Sequence, residues 1–259
     1  MRSLFALLIV ATLIAASPAS ANDPQTGLLA GNVVPLKSEP VALEREDLGV
    51  LLSPDDVDVD ATLVLHNRGA ARDVTLGMPY FTADDRDRDW NYDDNMEAFT
   101  CRVDGQLVQT STGQGPTLPR HGFKSTTWQT WTVHFAAGQT RTVFTHFRGQ
   151  LGVSYGNASY PKTKRAVAML DYMLSTARGW KAPIGHFHLT VRTIAPLKLS
   201  DVYAVSLPVQ RDHNALVWDV WHLRPQTDLK IQVFGELQRE PASVAAGWWI
   251  NPAFHPRRQ

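Results

Sequence analysis

The chain has 259 residues, 44% of them hydrophobic, with 25 basic and 25 acidic side chains and one cysteine. Balanced charge argues against nucleic acid as a partner, because neutralising phosphates needs a net basic face. A lone cysteine rules out an intramolecular disulfide, so a hydrophobic core has to hold the fold.

The chain opens on Arg2, an apolar run over residues 4–16, and Ala19-Ser20-Ala21 before Asn22. These are the three regions of a secretory signal peptide, and they predict cleavage after Ala21. The run is too short to cross a hydrocarbon core of about 30 Å as a helix, and no later stretch is long and apolar enough to do so. No cysteine follows the cleavage point to carry a lipid. A soluble exported protein, periplasmic or secreted, is the expectation.

Residues 57–65 alternate apolar and polar, the signature of a strand with one wet side. Ser53-Pro54-Asp55-Asp56 leads in as a turn. Residues 73–78 form the next strand, and the two read as a hairpin-like pair. Upstream, residues 32–36 and 41–50 are strand-like. Downstream, residues 98–103 and 106–110 flank Asp104-Gly105, whose residue types suit a type I′ turn. Residues 125–135 and 140–147 alternate around Ala136-Ala137-Gly138-Gln139 and read as another hairpin. Residues 162–177 place Ala166, Met169, Leu170, Met173, Leu174 and Ala177 at helical spacing, while 169–175 also fits a strand. The remainder returns to strands at 185–193, 199–206, 215–223 and 228–236, with Pro196, Pro208 and Pro225 between them.

This pattern predicts an all-β protein of antiparallel sandwich architecture with at most one or two short helices. The expected division is a signal peptide over 1–21, two packed sandwich lobes over 22–150 and 151–240, and an irregular tail over 241–259.

Gly152-Val153-Ser154-Tyr155-Gly156 spells the G-x-S-x-G of a nucleophile elbow. That turn needs a helix starting at once so that its amides hold the oxyanion, and residues 157–161 delay one. A Gly-rich crossover is therefore the preferred reading of Ser154. Asp85, Asp87 and Asp89 have the opening spacing of a Ca²⁺ loop, but Trp90 stands where that turn needs glycine and Met96 where it needs a bidentate glutamate. A solvated, self-paired loop is preferred. His186 and His188 share one face of a strand and could chelate a metal, yet spacing ties no third ligand to them.

Tryptophans Trp128 and Trp131, like Trp218 and Trp221, are three apart, so on strands the members of each pair face opposite sides, one towards the core and one towards solvent. Trp90, Trp248 and Trp249 are further candidates for contact with a partner. Cys101 reads as a small buried hydrophobe.

Several phrases occur together and in order: Val41-Ala42-Leu43-Glu44-Arg45-Glu46-Asp47-Leu48, Leu52-Ser53-Pro54, Val103-Asp104-Gly105, Asp171-Tyr172-Met173-Leu174-Ser175-Thr176, Trp180-Lys181-Ala182-Pro183-Ile184-Gly185 and Leu223-Arg224-Pro225. In these the chain resembles a bacterial exported domain-of-unknown-function family, the one catalogued as four-four-two-four. The resemblance implies an exported, mostly β protein and brings no catalytic residues with it. Glu46, Asp47, Leu48, Trp180, Pro183 and Gly185 are its signature here. Trp180 and Ile184 around Pro183 are expected to fill the seam between two sheets, with Gly185 starting the next strand.

With no complete catalytic constellation and no cofactor indicated, the favoured function is a non-catalytic exported module contacting an envelope protein or a glycan. The rival is a hydrolase or metal-dependent module using Ser154 or the His186/His188 pair.

Overall fold

The computed structural model describes residues 29–54, 56–80, 96–115, 127–153, 164–204 and 206–236. In chain order the strands are β1 (Leu29–Gly31), β2 (Val34–Pro35), β3 (Val41–Leu52), β4 (Asp56–Asn67), β5 (Arg72–Tyr80), β6 (Met96–Val103), β7 (Gln106–Leu107), β8 (Ser111–Gln114) and β9 (Thr127–Phe135). They continue with β10 (Thr140–Gln150), β11 (Gly152–Val153), β12 (Lys164–Met173), β13 (Ile184–Thr193), β14 (Val202–Ala204), β15 (Gln210–Asp212), β16 (Ala215–Leu223) and β17 (Leu229–Glu236). Two short 3₁₀ turns, Leu174–Gly179 and Leu199–Asp201, complete the regular structure of the described residues. The protein is all-β.

The strands form two sheets. A nine-stranded sheet runs β14-β17-β12-β1-β5-β9-β8, with β11 on β12 and β2 on β5, and an eight-stranded sheet runs β15-β16-β13-β3-β4-β10-β6-β7. Alternation decides which side of each strand is dry. In β4, Val57, Val59, Ala61, Leu63 and Leu65 are buried, while the residues between them turn outward. One contiguous hydrophobic cluster takes residues from both sheets.

Three expectations about pairing need correction. Strands β4 and β5 are not a hairpin, since they lie in different sheets, and the same holds for β9 and β10. Both turns are arches that carry the chain from one sheet to the other. The fully buried Asn67 ties them together: its Nδ2 donates to the carbonyls of Ala70 and Ala136, 2.9 Å each, and its backbone N–H donates to Gln139 O. Alternation reports the wet side of a strand but not its partner, and an arch buries the same side as a hairpin. Strand β4 instead forms a hairpin with β3, closed by Ser53, whose Oγ accepts from the Asp56 N–H at 3.0 Å.

The sheets are also mixed rather than purely antiparallel, because β1 runs parallel to β12 and β13 parallel to β3. Those same two contacts join the halves of the chain. Residues beyond 150 extend both sheets and do not build a separate sandwich: β12, β14 and β17 lie with β5 and β9, and β13, β15 and β16 lie with β3 and β4.

The segment with both helical and strand spacing is strand β12 up to Met173, then a 3₁₀ turn. Its place inside the sheet, with β17 on one side and β1 and β11 on the other, supplies ladder hydrogen bonds that outweigh local helical preference. Trp218 and Trp221 separate as expected, Trp218 packing edge-on against the buried Phe187 and Trp221 67% exposed. Trp128 and Trp131 are instead both buried. Leu36 packs against Gly77 where Trp128 also lies, and Gly115 lies directly against the indole, so the outward member of the pair is covered. The Asp104-Gly105 turn has φ of 49° and 80°, the left-handed pair that a type I′ hairpin requires.

Candidate functional site

A β-bulge in β3 governs both the interior and the exterior of this region. Pairing with β4 shifts register between Leu43 and Arg45, leaving Glu44 as the extra residue. The extra residue changes parity. Val41 and Leu43 point inward before it, and Glu46, Leu48 and Val50 point inward after it. A glutamate is thereby carried into the core. Gly185 of β13 lies against the bulge, where a Cβ would run into the Glu44 carbonyl oxygen.

Glu46 is fully buried and takes one hydrogen bond, from Asn32 Nδ2 to Oε2 at 2.8 Å. Asn32 lies between β1 and β2 of the opposite sheet, so this bond crosses the sandwich. The Asn32 N–H donates to Thr176 Oγ1 at 2.8 Å, and Thr176 Oγ1 donates to Met173 O at 2.7 Å. Trp180 Nε1 donates to Val33 O at 3.0 Å from the link that leaves the nine-stranded sheet for β13. Glu46 Oε1 and Asn32 Oδ1 have no hydrogen-bond partner among the described residues. Burial pushes the Glu46 carboxyl up to about 7, partly offset by the Asn32 bond, and burial together with the Glu46 charge raises the Tyr172 hydroxyl. Trp180 and Ile184 are both core residues on either side of the half-buried Pro183. This centre is sealed from solvent, so its chemistry is internal.

The same strands present a different chemistry outside. Asp47 follows Glu46 and faces out, paired with Arg45 at 2.8 Å. On β13, His186 and His188 face out beside Arg45 and Asp47 respectively, and on β16 Trp221 and Asp219 stand opposite the same two histidines. Two rows of three side chains thus cross three strands.

Asp219 joins the rows. Hydrogen bonds from His186, first, and His188 hold its carboxyl below its ordinary value, so it accepts only. His186 Nε2 donates to Oδ1 at 3.0 Å and His188 Nδ1 donates to Oδ2 at 2.8 Å. The other ring nitrogen of His188, Nε2, lies 3.0 Å from Thr190 Oγ1, so both nitrogens are hydrogen-bonded. The His186 ring lies against the Trp221 indole at 4.2 Å between centroids and 18° between planes. One indole face is backed by an anchored imidazole, and Trp221 is still 67% exposed.

Asp219 is the partner that spacing did not tie to the histidines. It lies on a separate strand, and only the β13–β16 register brings it across. The alternation of Trp218-Asp219-Val220-Trp221 does place Asp219 and Trp221 on one face. Among the described residues no three His, Cys, Asp or Glu are grouped so as to hold a metal ion. Ser154, Asp85, Asp87, Asp89, Trp90, Trp248 and Trp249 lie outside the described residues, as does the signal-peptide segment. No described helix is long and apolar enough to cross a membrane.

The model of the family described as "Domain of unknown function (DUF4424)" matches residues 161–207, a stretch that contains Tyr172, Thr176, Trp180, Gly185 and both histidines. No curated protein matches the chain. Among solved structures it is similar to a "putative nutrient binding protein" from Legionella pneumophila subsp. pneumophila str. Philadelphia 1, with a TM-score of 0.64 at 14% identity over 81% of this chain and 72% of that one. This likeness is one of fold. An M1 zinc metallopeptidase from Deinococcus radiodurans matches with a TM-score of 0.35 at 13% identity, over 78% of this chain and 44% of its own. Aminopeptidase A from Legionella pneumophila also reaches 0.35 at 15% identity, over 80% of this chain and 23% of its own. At that score the two peptidases carry no argument.

Proposed function

We propose that this chain is an exported, non-catalytic β-sandwich protein of the bacterial envelope, and that it contacts a glycan or another envelope protein through the outer face of its eight-stranded sheet. The observation that carries the reading is the Trp221 indole, exposed and backed by a histidine that Asp219 anchors. Ordering a side chain before binding removes an entropic cost from the binding step, and an aromatic ring offers large contact area with few torsions to freeze. Rigid sheet positions support this better than loops.

Two further points support the proposal. The first 21 residues have the composition of a cleaved export signal, which supports a location in the periplasm or outside the cell. The Legionella protein of similar fold is described as binding a nutrient, which agrees with a binding role.

The test has two parts. N-terminal sequencing of the protein from a periplasmic or culture fraction should read from Asn22, and a chain retained with Met1 in the cytoplasm would defeat the export half. A photocrosslinking residue at Thr190, beside the patch, should capture an envelope component in the native host, and no adduct would defeat the contact half. The hydrolase alternative predicts labelling of Ser154 by a fluorophosphonate probe.

A further inference from the structure

The outer-face patch has a composition that selects among occupants. Arg45, Asp47, His186, His188, Asp219 and Trp221 comprise one exposed apolar ring and five side chains that hydrogen-bond. Protein interfaces usually deplete charge at their centre and gather several apolar anchors. Here the other exposed large hydrophobics among the described residues are Leu107, on the far edge strand β7, and Ile194, just beyond the opposite end of β13. Neither can join Trp221 in one apolar surface.

A sugar ring matches what is present. A pyranose has an apolar face of C–H bonds, which packs on an indole, and a rim of hydroxyls that both donate and accept. Asp219 lies two residues from Trp221 on the same strand, about 7 Å along it, and the next strand lies about 5 Å to the side. The Asp219 carboxylate therefore borders the ring at the spacing of a sugar's rim, His186 backs the indole from the next strand, and Arg45 lies one strand further, about 10 Å away. Arg45 pairs with Asp47 at 2.8 Å, and His186 and His188 hydrogen-bond to Asp219 at 3.0 Å and 2.8 Å, so both carboxylates of the rim already have partners.

We infer that Trp221 is the stacking platform of a saccharide site, taking the C–H face of a neutral or N-acetylated pyranose on the indole face that His186 leaves free, while Asp219 of the same strand meets its hydroxyls. This rests on the binding role proposed above and names the ligand class for that surface.

The full-length protein, purified after export, would be titrated with maltohexaose, cellohexaose and chitohexaose by calorimetry and by affinity electrophoresis. At least one should bind saturably; Trp221→Ala should weaken it by roughly tenfold or more and Trp221→Phe by roughly threefold, with thermal midpoints unchanged. No binding by any of the three at millimolar concentration, or a Trp221→Ala affinity within roughly twofold of the parent, overturns the assignment. The Thr190 crosslink separates the two proposals. If it captures an envelope protein while no saccharide binds, the sugar site is wrong and the contact surface stands; if neither occurs, both are wrong.

Discussion

Asn32 Nδ2 donates to Glu46 Oε2 at 2.8 Å in the dry interior, joining the link between β1 and β2 of one sheet to β3 of the other. A carboxyl with one donor and an unpartnered second oxygen is expensive to ionise there, which is why burial raises it to about 7. The two sheets are tied by an acid whose charged form the dry interior disfavours.

That tie makes stability depend on pH in an unusual direction. An unfolded glutamate titrates near its ordinary value of 4.5, whereas folded Glu46 titrates near 7. Between those values the native state binds more protons, so stability falls as pH rises, by about 3 kcal/mol in all. Below 4.5 the contribution is fully present, and above 7 it is gone. Urea melts at pH 5 and pH 8 should show this loss, and Glu46→Gln, which cannot ionise, should remove most of it. An unchanged pH profile in Glu46→Gln would refute the account.

Gly185 lies where a side chain has no room beside the Glu44 bulge. Gly185→Ala should cost about 2 kcal/mol, because the obstructing atom is a backbone carbonyl that cannot swing aside. Gly113→Ala is the matched control, since nothing lies within 4 Å of a Cβ there. Its change should stay within about 0.5 kcal/mol. Equal midpoints for the two variants in denaturant would sink the steric argument.

Asn67 satisfies two arch carbonyls and also accepts from the Gly69 N–H at 3.0 Å. Asn67→Ala removes these three bonds, leaving Ala136 O with the Gln139 N–H and Ala70 O with Arg72 Nε but the Gly69 N–H without its acceptor, and should destabilise the fold by about 2 kcal/mol. Asn67→Asp should be nearly as damaging, because an ionised carboxylate cannot donate to the Ala70 and Ala136 carbonyls. Chemical denaturation of both variants checks this.

Cys101 is 1% exposed, and burial pushes its thiol up to about 12. It should resist a disulfide reagent at pH 8 in the native protein and react stoichiometrically in 6 M guanidinium, read by thionitrobenzoate release. Fast native labelling would show that β6 opens.

How much of this was legible beforehand follows from the range of each interaction. The alternation in 57–65 and the Asp104-Gly105 turn are local, depending on side-chain period and backbone sterics within a few residues. The expectation of an export signal rests on local composition as well, so it needs no tertiary partner. The inward direction of Glu46 is different, because it depends on a bulge that only the β3–β4 register creates.

The sequence by itself determined the all-β class, which side of most strands is wet, and the dependence on a hydrophobic core. Tertiary structure alone decided that Asn67 closes arches rather than a hairpin, that β13 runs parallel to β3, and that Asp219 meets His186 and His188 from 33 and 31 residues away, respectively. The physical reason is that alternation encodes burial but carries no information on strand partners. Partner choice is settled by cooperative pairing of distant backbone groups, and the candidate binding surface exists only once that pairing is made.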